Sequence, residues 1–154
     1  MDYVRRHLRI GWSALLVFAS LGLILEALQG FKVAAYLDVS NETRRLMWRL
    51  AHAHGALLGA INILFALTLK ASAPTVTSAA RISSSLVGAT ILLPLGFFLG
   101  GVVFYSGDPG LGVLLVPVGA TLLVLSLYWI ATALSKRSSG PDPARSGVDG
   151  ARRL

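Results

Sequence analysis

The chain has no cysteine among its 154 residues. Disulfides, thiolate metal ligands and cysteine nucleophiles are excluded together, so any metal or cofactor must be held by histidine or oxygen donors. Charge is scarce as well: Asp, Glu, Lys and Arg make up 14% of the chain, well below the roughly 25% of a soluble domain. Nothing in the sequence forms a glycine-rich phosphate loop, a working pair of carboxylates or a Ser/His/Asp set. Hydrolase and nucleotide-dependent chemistry therefore have no residues to rest on.

What is present is apolar, with 55% hydrophobic residues. Charge-free runs cover 20 residues from Leu50 to Leu69, 26 from Ile82 to Gly107 and 27 from Pro109 to Ser135. A fourth, of 16 from Ile10 to Leu25, extends across Glu26 to Leu28. Crossing about 30 Å of hydrocarbon takes about 20 helical residues. The fold expected is an all-α integral membrane four-helix bundle over residues 1–135, with helices at about 9–29, 46–69, 82–106 and 111–135. The first run follows Arg5, Arg6 and Arg9 as a signal peptide would, but no small-x-small cleavage pattern follows it, so it reads as retained. The remainder, 136–154, is dominated by Ser, Gly, Pro, Asp and Arg and is expected to be a disordered cytoplasmic tail.

The net charge of +7 would suggest nucleic acid in a soluble protein. Here the basic residues flank apolar segments, where they act as topology signals and headgroup contacts; the partner expected is the lipid bilayer, and no nucleic acid. Ten Lys or Arg fall on the side of the termini and four (Lys32, Arg44, Arg45, Arg49) on the other. The positive-inside rule then places both termini in the cytoplasm of a multi-pass protein of an inner or plasma membrane.

The 30–45 connection mixes apolar and charged residues and reads as a short amphipathic segment at the outer interface. Ser40 or Asn41 is positioned to cap the helix after it. The breaker run Ser106-Gly107-Asp108-Pro109-Gly110 predicts a tight antiparallel pairing of the third and fourth helices. Pro94-x-Gly96 and Pro117-x-Gly119 recur in those helices and read as membrane prolines with local kinks. Trp12, Trp48, Tyr105, Tyr128 and Trp129 fall near helix ends, as in an aromatic belt.

Helical spacing puts Arg45, Arg49, His52, Gly55, Gly59 and Asn62 along one face of the second helix. Gly55-x-x-x-Gly59 lets another backbone come close, and Gly96-x-x-x-Gly100 offers a similar surface on the third helix. His52 and His54 are two apart, hence about 200° apart around the helix, and cannot readily chelate one metal. A single axial bond to haem iron needs only one imidazole. The alternative for each histidine is a structural hydrogen bond between helices or a place at the interface. Glu26, at a matching depth on the first helix, seeks a partner among Arg49, His52 and His54 and could orient an imidazole, or it snorkels to the interface. Asn62 lies deeper and either joins helices or lines a polar pocket.

The run Leu50-Ala51-His52-Ala53-His54-Gly55-Ala56-Leu57-Leu58-Gly59, with Gly30-Phe31 and Gly96-Phe97, resembles the small four-helix membrane isomerases of the styrene oxide isomerase and hydroxylaminobenzene mutase type. The resemblance implies haem b bound through His52 at a subunit interface, a homo-oligomer, specifically a trimer, and a small apolar ligand. In that family ferric iron acts as a Lewis acid on an epoxide. Two positions depart from the pattern: a polar Asn of the family is Leu58 here, and a Tyr is Phe98. Neither can hydrogen-bond an epoxide oxygen, which leaves Asn62 and Tyr105 on neighbouring turns as candidate catalytic residues. The competing expectation is a non-catalytic membrane bundle, an assembly or partner subunit whose histidines are structural.

Overall fold

The computed structural model describes residues 2–72, 76–105 and 107–138. Asp2 starts the first helix: its carboxylate accepts the Arg5 amide at 3.0 Å and satisfies one of the donors that a helix start leaves open. With that cap, α1 runs Tyr3–Gly30 and takes in the basic arm that the sequence places ahead of the span. Its far end closes in a Schellman motif, with the Val33 amide on the Leu28 carbonyl and the Lys32 amide on that of Gln29. Lys32 holds the left-handed position of that motif at φ 52°, where glycine is the usual occupant.

The connection that follows folds into α2 (Ala34–Leu37) and a 3-10 turn (Val39–Asn41) that feeds directly into α3 (Glu42–Ser72). Ser40 and Asn41 do not cap α3 as their spacing suggests. Ser40 donates its amide and its hydroxyl to the Asp38 carboxylate, and the Asn41 side chain donates to the Ala35 carbonyl. The hydroxyl and amide bonds from Ser40 hold the Asp38 carboxyl below the usual carboxylate range. Arg45 fastens the segment to α3 by donating to the carbonyls of Tyr36 and Asp38 at 3.0 and 2.7 Å.

α4 runs Val76–Val102 and ends four residues before the expected boundary, because the chain turns extended there. β1 (Phe104–Tyr105) and β2 (Asp108–Pro109) form a miniature antiparallel hairpin, with Phe104 opposite Pro109 and Tyr105 opposite Asp108. Gly107 sits in its turn at φ 97°, a conformation that needs the missing side chain. A 3-10 turn (Leu111–Leu114) then leads into α5 (Leu115–Ser138), which carries helix three residues into the expected tail. The rest of that tail, 139–154, lies outside the described residues.

The helices pack in series: α1 on α3, α3 on α4 and α4 on α5, with α1 reaching α4 over a short stretch. His7, near the start of α1, bonds Ser83, and Trp129, in the last turns of α5, lies beneath Arg81, both in the first part of α4, so both described ends of the chain lie at one end of the bundle. The core cluster is Leu58, Phe65 and Leu69 of α3 against Ala79, Ile82, Leu86, Ala89 and Leu93 of α4. Burial follows this order: 50% of the apolar stretch of α4 and 39% of that of α3 are buried, against 17% for α1 and 11% for α5. Among the described residues four helices are long and apolar enough to cross a membrane.

The two Pro-x-Gly motifs meet each other across α4 and α5. A side chain at Gly96 would lie 3.0 Å from the Val116 amide nitrogen, and one at Gly119 2.7 Å from that of Leu93. Pro117 falls in the first turn of α5, where its missing N–H breaks no bond. Pro94 lies in the interior of α4, where the missing N–H does remove a ladder bond.

Candidate functional site

Between helices in lipid there is no hydrophobic drive to associate, so close packing and polar contacts decide which faces meet. The stripe on α3 turns toward α1 along its length. Arg49 donates to Gln29 Oε1 at 3.0 Å; the His52 ring lies over Gly22; Gly55 faces the Phe18 ring; Gly59 faces the backbone of Gly11 and Leu15; Asn62 meets His7. Residue numbers fall on α1 as they rise on α3, as an antiparallel pair requires. The backbone that the Gly55-x-x-x-Gly59 surface admits is therefore that of α1 of the same chain. Gly96 and Gly100 likewise face Val113 to Val116 within the chain.

His52 is half-buried and takes a defined role in this ladder. Its Nδ1 lies 2.6 Å from the Phe18 carbonyl oxygen, which can only accept, so Nδ1 carries the proton. That carbonyl is reachable because Gly22, one turn on in α1, has no side chain to cover it; a Cβ there would overlap the imidazole. In the neutral ring Nε2 is then a free acceptor, and it has no hydrogen-bond partner among the described residues. The imidazole borders an open groove of about 360 Å³ between α1 and α3, lined by Gly22, Leu25, Glu26, Gln29, Gly30, Arg49 and His52.

The other site residues expected from sequence are placed less uniformly. Glu26 shares the groove, but it is exposed and pairs with none of Arg49, His52 and His54 among the described residues. A backbone carbonyl, not a carboxylate, orients the imidazole. His54 does not join His52: its Nδ1 donates to the Leu50 carbonyl at 2.8 Å, and its ring lies 4.8 Å from that of Phe97 on α4, the opposite side of α3. Leu58 is fully buried in the core, and Phe98 stacks on Trp48 while its carbonyl accepts the Trp48 Nε1 proton. The side chain of Tyr105 lies outside the described residues.

Asn62 is ten residues from His52 on the same helix, about 15 Å along its axis, and belongs to another constellation. Its Nδ2 donates to the Leu58 carbonyl and to Thr90 Oγ1, both at 2.8 Å, which fixes Oδ1 toward His7 Nδ1 at 2.6 Å. His7 Nδ1 therefore donates. Its Nε2 is 2.8 Å from Ser83 Oγ, whose proton it accepts in the neutral form, and Thr90 passes its own proton to the Leu86 carbonyl. His7, Asn62 and Ser83 are fully buried, and the Phe65 ring meets the imidazole edge-on at 4.8 Å. Every one of these polar groups is satisfied by a neighbour, so the cluster clamps α1 to α3 and α4, and Asn62 joins helices, one of the two roles its depth suggests.

His7 is the residue that sequence reasoning misses. Between Arg5, Arg6 and Arg9 it reads as part of an interfacial arm. The signal that finds it is the spacing His7, Gly11, Ala14, Gly22, Leu25, the buried face of α1, which emerges only if the helix is started at the Asp2 cap. Among the described residues no three His, Asp or Glu come together as a multidentate metal site. The chain matches no protein-family model, no curated protein and no solved structure.

Proposed function

We propose that this chain is a multi-pass membrane protein that binds haem b through Nε2 of His52, in the manner of the four-helix isomerases it resembles, and takes up a small apolar ligand beside the haem. The observation that carries the reading is the state of the His52 imidazole. One nitrogen is tied to a backbone carbonyl and the other is free beside an open groove, the arrangement in which a histidine is oriented for metal ligation. A single axial ligand suffices for haem, and the absence of a second histidine at the groove is compatible with it. Bound there, ferric haem supplies a Lewis acid. The chain's own contribution is to fix the tautomer and aim of the imidazole through Phe18 and Gly22. For the isomerase activity that the resemblance implies, Leu58 and Phe98 offer a substrate no hydrogen bond. A small homo-oligomer, a trimer by the resemblance, would cover the groove from its open side with a second copy, because the Gly55 and Gly59 face is already occupied.

A second reading has an observation of its own in its favour: the His52 to Phe18 bond joins α3 to α1, so the same imidazole serves a bundle whose role is assembly. The two separate on colour. Protein purified after expression with ample haem supply is expected to show a Soret band that His52→Ala abolishes and His54→Ala leaves in place. A colourless wild type would leave only the scaffold role.

The proposed orientation has both termini in the cytoplasm, following the distribution of Lys and Arg. Reporter fusions at the C-terminus and within residues 38–42 are expected to report opposite sides of the membrane. The same side for both would exclude four crossings.

A further inference from the structure

The groove between α1 and α3 holds a carboxylate and a guanidinium that do not meet. Glu26 and Arg49 both line it, yet among the described residues no ion pair joins them. Arg49 donates instead to Gln29 Oε1 at 3.0 Å, a bond that engages one of its donors with a neutral acceptor and leaves the Gln29 amide protons available beside the guanidinium. The lining thus offers an acceptor of negative charge and, apart from it, a patch of N–H donors. That pair of features is complementary to a group of both signs: a phosphate, which suits the guanidinium fork, and a protonated amine on a short tether, which a carboxylate binds. The position says what supplies such a group. The groove lies near the end of α1 and in the first turns of α3, two helices long and apolar enough to cross a membrane, and so at headgroup depth. At spacings of three and four from Glu26, the residues Leu23, Ala19 and Leu16 run down α1 as an exposed apolar stripe, a track for acyl chains below the charges. The mouth is open beside Gly30, where a Cβ would meet no atom within 4 Å. We infer that the groove is a site for an ethanolamine phospholipid, its phosphate on Arg49 and Gln29 and its ammonium on Glu26. The inference goes beyond the haem reading and does not rest on it, since the headgroup uses neither an iron nor Nε2 of His52.

The test is native mass spectrometry of the full chain, stripped of lipid in neutral detergent and given an equimolar mixture of phosphatidylethanolamine and phosphatidylglycerol with the same acyl chains. Both lipids carry the phosphate; only the first carries the amine. Wild type is expected to retain the ethanolamine lipid about tenfold over the glycerol lipid, the size of one charge-assisted hydrogen bond. Glu26→Gln should bring the two lipids to equal retention, and Arg49→Gln should lower the retention of both. Helicity and elution volume check that the variants fold. Equal retention by the wild type, a Glu26→Gln protein that keeps the preference, or an Arg49→Gln protein that holds the lipids as the wild type does overturns the site. Displacement of the lipid by an equimolar amount of soluble phosphoethanolamine would assign the groove to a free phosphoamine and overturn the lipid as its occupant.

Discussion

Gly59→Leu is expected to lower the stability of the solubilised protein by about 3 kcal/mol, at the upper end of what overpacking costs. A Cβ at Gly59 would lie 3.0 Å from both the Gly11 carbonyl oxygen and the Leu15 amide nitrogen. Backbone atoms cannot rotate away as side chains do, so a larger residue can be accommodated only by moving α1 off α3. Gly59→Ala should show the same effect at reduced size. The measurement is unfolding in a denaturing detergent titration, followed by circular dichroism. Unfolding of Gly59→Leu at the wild-type midpoint would mean that α1 does not cross α3 there. Since His52 is held by Phe18 and faces Gly22 two turns further along the same crossing, the substitution should also loosen the imidazole.

The second large effect concerns the buried polar cluster. Asn62→Leu removes the acceptor of His7 Nδ1 and the donor to Thr90 while keeping the apolar volume. It leaves a buried N–H of His7 without a partner, which costs about 1–3 kcal/mol. His7→Leu is expected to be destabilising too, because Asn62 Oδ1 and Ser83 Oγ lose their common partner. The double variant should be less destabilised than the sum of the single ones, since replacing both partners removes the orphaned group. Additive losses in the same detergent titration would contradict a clamp built by these two residues together.

Much of this architecture is legible in the sequence. Span number follows from charge-free length, and the α1-facing stripe of α3 follows from spacings of three and four, because helix geometry is local. What is not legible depends on the offset between helices. Nothing in the chain says that Arg49 meets Gln29 and not Glu26, since one turn of slip between α1 and α3 would exchange them. The acceptor that orients His52 is a main-chain carbonyl, which no residue type announces; only the glycine at position 22 hints that a carbonyl is uncovered. Asn62 is recognisable as a deep polar residue, but its role depends on His7, hidden in a basic arm that the Asp2 cap turns into helix. The glycine pairs show that something packs closely, without saying whether it is the same chain.

Ligation of an iron by Nε2 of His52 in the groove between α1 and α3, as proposed, can be separated from a structural role by chemical rescue. His52→Gly removes the imidazole above Gly22 and leaves a gap of its own size. This variant, mixed with haemin, is expected to show no ligated Soret band until free imidazole is added, and imidazole is then expected to restore the wild-type spectrum, while His54→Gly needs no rescue. A His52→Gly protein that ligates haem as the wild type does, or a wild type that shows no Soret band, would contradict it.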